Sequence, residues 1–150
     1  MKKYYYTSPI GLIECICSEN SLHSIKIVDK IGESDIETIF SNRLKSQLEE
    51  YFLGRRESFD INITLNGTDF QKNVWKELQK IPYGETVSYS EIAYKIGNKN
   101  AHRAVGSACN KNPIIIIIPC HRVISKNGDL NNFAYGNLVK QKLLSIENCV

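Results

Sequence analysis

A cysteine, a histidine and an arginine stand side by side at Cys120-His121-Arg122. Cysteine attacks as its thiolate, and a neighbouring base or positive charge favours that form. The triplet therefore offers a nucleophile together with its own base and counter-charge. Before it come Pro119 and a run of five isoleucines, Ile114 to Ile118. The run is β-branched, short and without alternation, which predicts a strand covered on both faces. Pro119 removes a backbone donor and fixes φ, so the strand must end there and leave the thiol at the rim of a rigid element. Neighbours in extended backbone point to opposite sides, so Cys120 and His121 would communicate only through a turn or a bridging water. A buried structural cysteine at a strand end is the other reading of the same residues.

Around this stretch the composition is that of a soluble globular protein, with 42% apolar and 23% charged residues in a chain of 150. Five cysteines at irregular spacing (Cys15, Cys17, Cys109, Cys120, Cys149) argue for free thiols in a reducing compartment rather than a disulfide scaffold. The start of the chain, Met1-Lys2-Lys3-Tyr4-Tyr5-Tyr6, leads into polar residues and not an apolar signal segment. A cytoplasmic protein with no membrane association is the expectation. Cys15, Cys17 and His23 could suggest a metal site, but two positions apart in an alternating strand share one face, and core packing is the favoured reading. The net charge of +3 is uneven: residues 1–66 carry 8 basic and 10 acidic side chains, and residues 67–150 carry 11 and 6. The cation excess of the second half is where a polyanion would dock, although an ordinary basic surface has the same composition.

The elements that must position the triplet follow from local signals. Lys2–Thr7, Leu12–Cys17 and Leu22–Val28 read as three short strands in an antiparallel meander, separated by turn residues. Ile36, Ile39, Phe40, Leu44, Leu48, Tyr51 and Phe52 recur at helical spacing up to Gly54, and 55–65 reads as a further strand. This predicts an N-terminal α/β unit over residues 1–66. From residue 67, Thr68-Asp69-Phe70-Gln71 and Ser88-Tyr89-Ser90-Glu91 are capping boxes that open two helices. A third helix follows from about Asn100, and the pair joined by Gly97-Asn98-Lys99 has the outline of a helix-turn-helix. That third helix, with Ala101, His102, Arg103, Ala104, Val105, Gly106, Ser107 and Ala108, is rich in small residues. It could approach a groove floor closely with Arg103 reaching into a duplex, or simply pack tightly. Ser125-Lys126-Asn127-Gly128-Asp129 signals a hairpin turn, and a last helix carries Val139, Leu143 and Ile146 with Glu147 near its end. The fold class is α/β (α+β), with a mainly helical second part over residues 67–150.

Asn112-Pro113 followed by Ile118-Pro119-Cys120-His121-Arg122-Val123 resembles the acceptor-site signature of the O6-alkylguanine-DNA alkyltransferases. Ser88-Tyr89, Arg103-Ala104-Val105-Gly106 and the stretch from Leu143-Leu144 to Glu147 fall where that family's pattern expects them. The likeness covers residues 68–150 well and the N-terminal unit in outline. It implies direct repair of O6-methylguanine, and of O4-methylthymine, in double-stranded DNA by a monomer that needs no cofactor and is spent in one turnover. Cys120 would be the acceptor, His121 its base through a water, Glu147 the carboxylate orienting His121, and Tyr89 a hydrogen-bond donor to the guanine. Arg103 would fill the gap left by the flipped base, beside His102, Ala104 and Gly106 on the DNA-facing helix. Asn112 would brace the active-site turn, with Pro119, Arg122, Val123, Ala134 and Tyr135 supporting the site and its pocket.

The physics of the reaction suits these residues: a lesion inside a duplex must be flipped out and its hole filled, and a thiol needs a relayed base. Departures from the family pattern are concentrated near the site. Asn131, Phe133 and Tyr135 replace a glycine, a tyrosine and another glycine, Ile115 stands where proline is common, and His102 where a small residue is usual. They predict a narrowed pocket that takes methyl adducts better than bulky ones. Some members of the family hold a structural zinc, but no ligand set for one is evident in this sequence. The alternative function is a sensor that flips alkylated bases without accepting the alkyl group. A cysteine hydrolase is disfavoured by the lack of an oxyanion-hole signal.

Overall fold

Alternating side chains in the N-terminal segment form β1 (Lys2–Ser8), β2 (Gly11–Cys17) and β3 (Leu22–Val28), paired antiparallel in the order β1-β2-β3. The computed structural model describes residues 1–128 and 133–149. Ile13, Cys15 and Cys17 all reach the hydrophobic core. Burial raises the Cys15 thiol to about 12 and the Cys17 thiol to about 11, as suits packing cysteines rather than reactive ones.

Helix α1 (Ile39–Phe52) begins later than its apolar spacing suggests. Thr38 and Ser41 form a reciprocal capping box that fixes the start, and this leaves Ile36 and Ile39 exposed rather than on the buried face. Its end is a Schellman turn: Gly54 at φ 73° donates to the Tyr51 carbonyl at 3.0 Å, and Arg55 donates to that of Glu50 at 2.8 Å. The strand expected over 55–65 is absent except for a single bridge between Ile63 and Leu22. The open edge of β3 is shared: Leu22 exchanges hydrogen bonds with Asn62 and Thr64, while Ile25 exchanges them with Pro113 and Ile115. Neither segment has room for a full ladder.

Beyond residue 67 the chain forms α2 (Asp69–Leu78), β4 (Val87–Ser88), α3 (Tyr89–Lys95), α4 (His102–Asn110), β5 (Val123–Ile124) and α5 (Asn137–Ile146). Both predicted capping boxes form, Thr68 with Gln71 and Ser88 with Glu91. Gly97, at φ 86°, ends the chain's passage through α3 and allows the reversal into α4, which packs against it. Trp75 is buried and its indole N–H donates to the Ala108 carbonyl at 2.9 Å, tying α2 to α4. The turn after β5 closes through Gly128 N–H to Ser125 at 2.9 Å. It does not make the expected hairpin among the described residues, because β5 pairs in parallel with β4. Asp129 lies outside the described residues.

The isoleucine run is the main departure. It is core as expected, with Ile114, Ile115, Ile116 and Ile118 each at most 2% exposed, but it is a turn rather than a strand. Ile118 N–H donates to the Ile114 carbonyl at 3.0 Å, Ile117 N–H to that of Ile115 at 2.9 Å, and Ile116 takes φ 76°. A β-branched residue in the left-handed region carries strain of about 1–3 kcal/mol. Its burial and the bonds on either side hold it there.

Candidate active site

The turn curls around one side chain. Asn112 accepts from the Ile114 N–H at 2.9 Å and donates through Nδ2 to the Ile118 carbonyl at 2.7 Å, so it spans both ends of the run. The same Nδ2 lies 3.1 Å from the Cys120 Sγ. Pro119 then leads into one turn of 3-10 helix, Cys120–Arg122. Cys120 and His121 are therefore on a turn and not in extended backbone, and both are buried, as is Arg122. Burial pushes the Cys120 thiol up to about 11, with Asn112 and the Lys140 charge pulling the other way. At rest the sulfur carries its proton.

Glu147 closes the site from the end of α5. Asn148, at φ 61°, turns the chain there, and Glu147 is 1% exposed, not a solvated last-turn residue. His121 Nε2 meets Glu147 Oε2 at 2.6 Å, Arg122 Nε donates to Oε1 at 2.7 Å, and Arg122 Nη1 donates to the Ile81 carbonyl at 2.7 Å. Burial alone would raise the Glu147 carboxyl, but hydrogen bonds from His121, Arg122 and Tyr51 hold it at about 2. Burial lowers His121 and keeps the imidazole neutral. Glu147 is then an ionised acceptor, which places the His121 proton on Nε2 and a lone pair on Nδ1. Nδ1 is buried with no hydrogen-bond partner among the described residues.

Two residues of this cluster carry no sequence signal. Lys140, on α5, is 0% exposed, donates to the Val123 carbonyl at 2.6 Å and has its ammonium 5.8 Å from the centre of the Tyr89 ring. Burial lowers its pKa, while the nearby Cys120 and Cys109 raise it. A lysine in an amphipathic helix ordinarily faces water, so only the fold could place it here. Tyr51, on α1, reaches Glu147 Oε2 from the first half of the chain at 2.5 Å; its sequence context announced only a helix face.

Tyr89, at the start of α3, is 9% exposed, and burial raises its hydroxyl well above the ordinary phenol, so it remains a donor. A Cβ added to Gly106 would meet the Tyr89 ring at 3.9 Å, so α4 passes directly over it. His102, Arg103 and Ala104 are exposed on that helix, whereas Val105, Ala108 and Cys109 face the core. A cleft of about 620 Å³ is lined by Tyr89, His102, Arg103, Gly106, Lys111 and Ser125. Val123 is fully buried beside the turn, while Ala134 is exposed and Tyr135 half-buried, its ring 6.0 Å from that of Phe133. Asn131 lies outside the described residues. Among the described residues no group of three His, Cys, Asp or Glu side chains could hold a metal ion, and no helix is long and apolar enough to cross a membrane.

A buried cysteine beside a histidine-carboxylate pair, with a two-helix unit that exposes cations, is the arrangement that a class of proteins bringing a sulfur to a nucleic acid would need. Comparison with known proteins narrows it. Residues 1–65 match the ribonuclease-like domain, and residues 69–149 the DNA binding domain, of 6-O-methylguanine DNA methyltransferase. The methylated-DNA-protein-cysteine methyltransferase of Methanosarcina acetivorans is 45% identical, over 96% of this chain and 97% of its own. The fold matches Mycobacterium tuberculosis OGT in complex with DNA at a TM-score of 0.90 and 40% identity, covering 98% of this chain and 92% of that one. S. pombe Atl1, in complex with damaged DNA containing O6-carboxymethylguanine, matches at 0.50 and 28% identity over 56% of this chain and 80% of its own. The chain belongs to the 6-O-methylguanine DNA methyltransferase family.

Proposed function

We propose that this protein reverses O6-methylguanine damage in double-stranded DNA by moving the methyl group onto the sulfur of Cys120, once per molecule. Repair by alkyl transfer is the activity its relatives are named for. The observation that carries the assignment to Cys120 is local. Asn112 holds Sγ while the next residue presents an imidazole with Nε2 engaged by Glu147 and Nδ1 left for a proton.

The steps follow from these groups. Arg103 and the small residues of α4 enter the duplex, with His102, Ala104 and Gly106 at the contact, and the damaged nucleotide leaves the stack for the pocket beside Tyr89. His121 Nδ1 takes the thiol proton through a water. Sulfur then attacks the methyl carbon as the carbon-oxygen bond breaks, and the electron pair goes to guanine. Tyr89 donates a hydrogen bond to the base as that charge develops, and a proton returned through His121 leaves a neutral guanine. Lys140, close to Tyr89 and Cys120, adds positive charge where the thiolate forms. The product is a thioether with no hydrolysable bond, so nothing restores the thiol. Asn112, Pro119, Arg122 and Val123 hold the turn, and Ala134 and Tyr135 border the pocket. O4-methylthymine, with the same leaving-group chemistry, is a second substrate. The protein acts as a cytoplasmic monomer.

A sensor that binds the lesion without transfer would have no use for a braced thiol beside an oriented histidine. Intact and peptide mass analysis after mixing with an equimolar duplex carrying one O6-methylguanine separates the two. One methyl on the Cys120 peptide, absent in Cys120→Ala, is the expected result. Binding without any mass gain would overturn the transferase reading.

A further inference from the structure

The carboxylate that orients His121 is completed from the other half of the chain. Tyr51, near the end of α1, lies 96 positions from Glu147, yet its hydroxyl donates to Oε2, the same oxygen that meets His121 Nε2. The ring is fully buried, with Phe52, Phe59 and Tyr83 packed around it at centroid distances of 5.3, 5.6 and 6.5 Å. Phenylalanine would satisfy that packing equally well. What the hydroxyl adds is a fixed hydrogen bond to the carboxylate. Burial, followed by the Glu147 charge, raises the Tyr51 hydroxyl far above the ordinary phenol, so it stays a donor.

We propose that Tyr51 is a positioning residue through which the N-terminal half of the chain sets the proton affinity of the His121-Glu147 pair. The proposal rests on the reading of His121 as the base for Cys120. Each donor to a carboxylate disperses its charge and weakens it as an acceptor for the next. With Tyr51 on Oε2 and Arg122 on Oε1, Glu147 orients the imidazole without drawing it into the protonated form. The other titratable or charged groups facing the pair are Arg122 on the same turn, Lys140 from α5, Tyr83 from the loop after α2, and Cys149 after α5. Removing the Tyr51 hydroxyl makes the carboxylate more basic and raises His121. More of the protein then carries an imidazolium, which cannot take the thiol proton.

The test is single-turnover methyl transfer from an O6-methylguanine duplex at saturating protein, followed across about pH 5 to 9. In Tyr51→Phe the rate constant near neutral pH is expected to fall about three- to tenfold, with duplex affinity unchanged. The acid limb of the rate profile is expected to move to higher pH. Replacing Tyr51 by 3-fluorotyrosine keeps the ring and the hydroxyl but strengthens the donor, and should move the limb to lower pH. Should Tyr51→Phe fail to fold, the fluorotyrosine protein carries the test alone. Limbs that superimpose on that of the unmodified protein, with or without a slower rate, would overturn the proposal and leave Tyr51 a packing residue. If the unmodified protein transfers no methyl at all, it is the Cys120 acceptor reading that has failed, and the two failures are told apart by that control.

Discussion

The dipeptide His-Arg occurs twice in this chain, at His102-Arg103 on the outer face of α4 and at His121-Arg122 beneath it. The first pair is exposed, whereas His121 and Arg122 are 0% and 7% exposed and bound to one carboxylate. The difference teaches what burial does to a cation. At the surface, water screens it and leaves it free to meet a phosphate or fill a gap in a duplex. In the interior it must be paired, and pairing fixes its direction to within a hydrogen bond. One pair is suited to finding DNA, the other to holding a reacting group still.

Removing the arginines one at a time should break this comparison most sharply. Arg122→Ala removes the cation paired with Glu147, the guanidinium that donates to Oε1, and takes from the Ile81 carbonyl its Arg122 donor. A loss of about 3–5 kcal/mol in urea unfolding is expected. Arg103→Ala should change stability by less than about 0.5 kcal/mol, yet weaken duplex binding and reduce the dependence of affinity on log salt by about one unit. Equal stability losses in the two variants would mean that burial does not separate them.

A pH titration of stability sharpens the same contrast. Glu147 is held at about 2 in the folded chain, below the ordinary glutamate value of about 4.3. Its contribution to stability is therefore complete above the ordinary value and is lost as pH falls from there to about 2. His121, lowered by burial, acts in the same direction from higher pH, because the unfolded chain takes up its proton first as pH falls through about 6.5. Stability should thus decline from near neutrality downward, in two stages. Glu147→Gln should flatten the lower stage, measured by denaturant unfolding at each pH. A lower stage of unchanged slope would show that the carboxylate does not set it.

How much of this was legible in advance depended on how local each signal was. The meander, the Thr68 and Ser88 capping boxes and the glycine stops of α1 and α3 are written within a few residues and formed as read. The isoleucine run misled because β-branching favours a strand, while the decisive interaction is a side chain outside the run, Asn112, that draws its two ends together. The β4-β5 pairing joins two-residue segments that carry no pattern of their own. At the site, Cys120, His121 and Arg122 adjoin in sequence and are legible from their residue types, whereas Asn112, Tyr89 and Glu147 are named only through the family resemblance. Lys140 and Tyr51 could not be named, since each belongs to a helix whose spacing explains its residue type without reference to a partner elsewhere.

The smallest effect expected concerns the residues proposed to border the pocket, where neither burial nor exposure dominates. Phe133 and Tyr135 are half-buried with their rings in contact, and Ile115 is fixed by its N–H to Ile25 within the buried turn. The Tyr135 ring takes space that glycine would leave open, and a ring held against another, as it is against Phe133, yields less readily than an isolated one. The methyl adduct needs little room beyond the guanine itself, whereas a benzyl adduct must pass the same edge. Methyl transfer should therefore outpace benzyl transfer by a few-fold to about tenfold, the range of discrimination that apolar contacts support. Tyr135→Gly should raise the benzyl rate while leaving the methyl rate nearly unchanged, as single-turnover rates on the two duplexes would show. If both adducts react equally fast in the unmodified protein, the edge does not constrict the pocket, and the discrimination expected from these residues is absent.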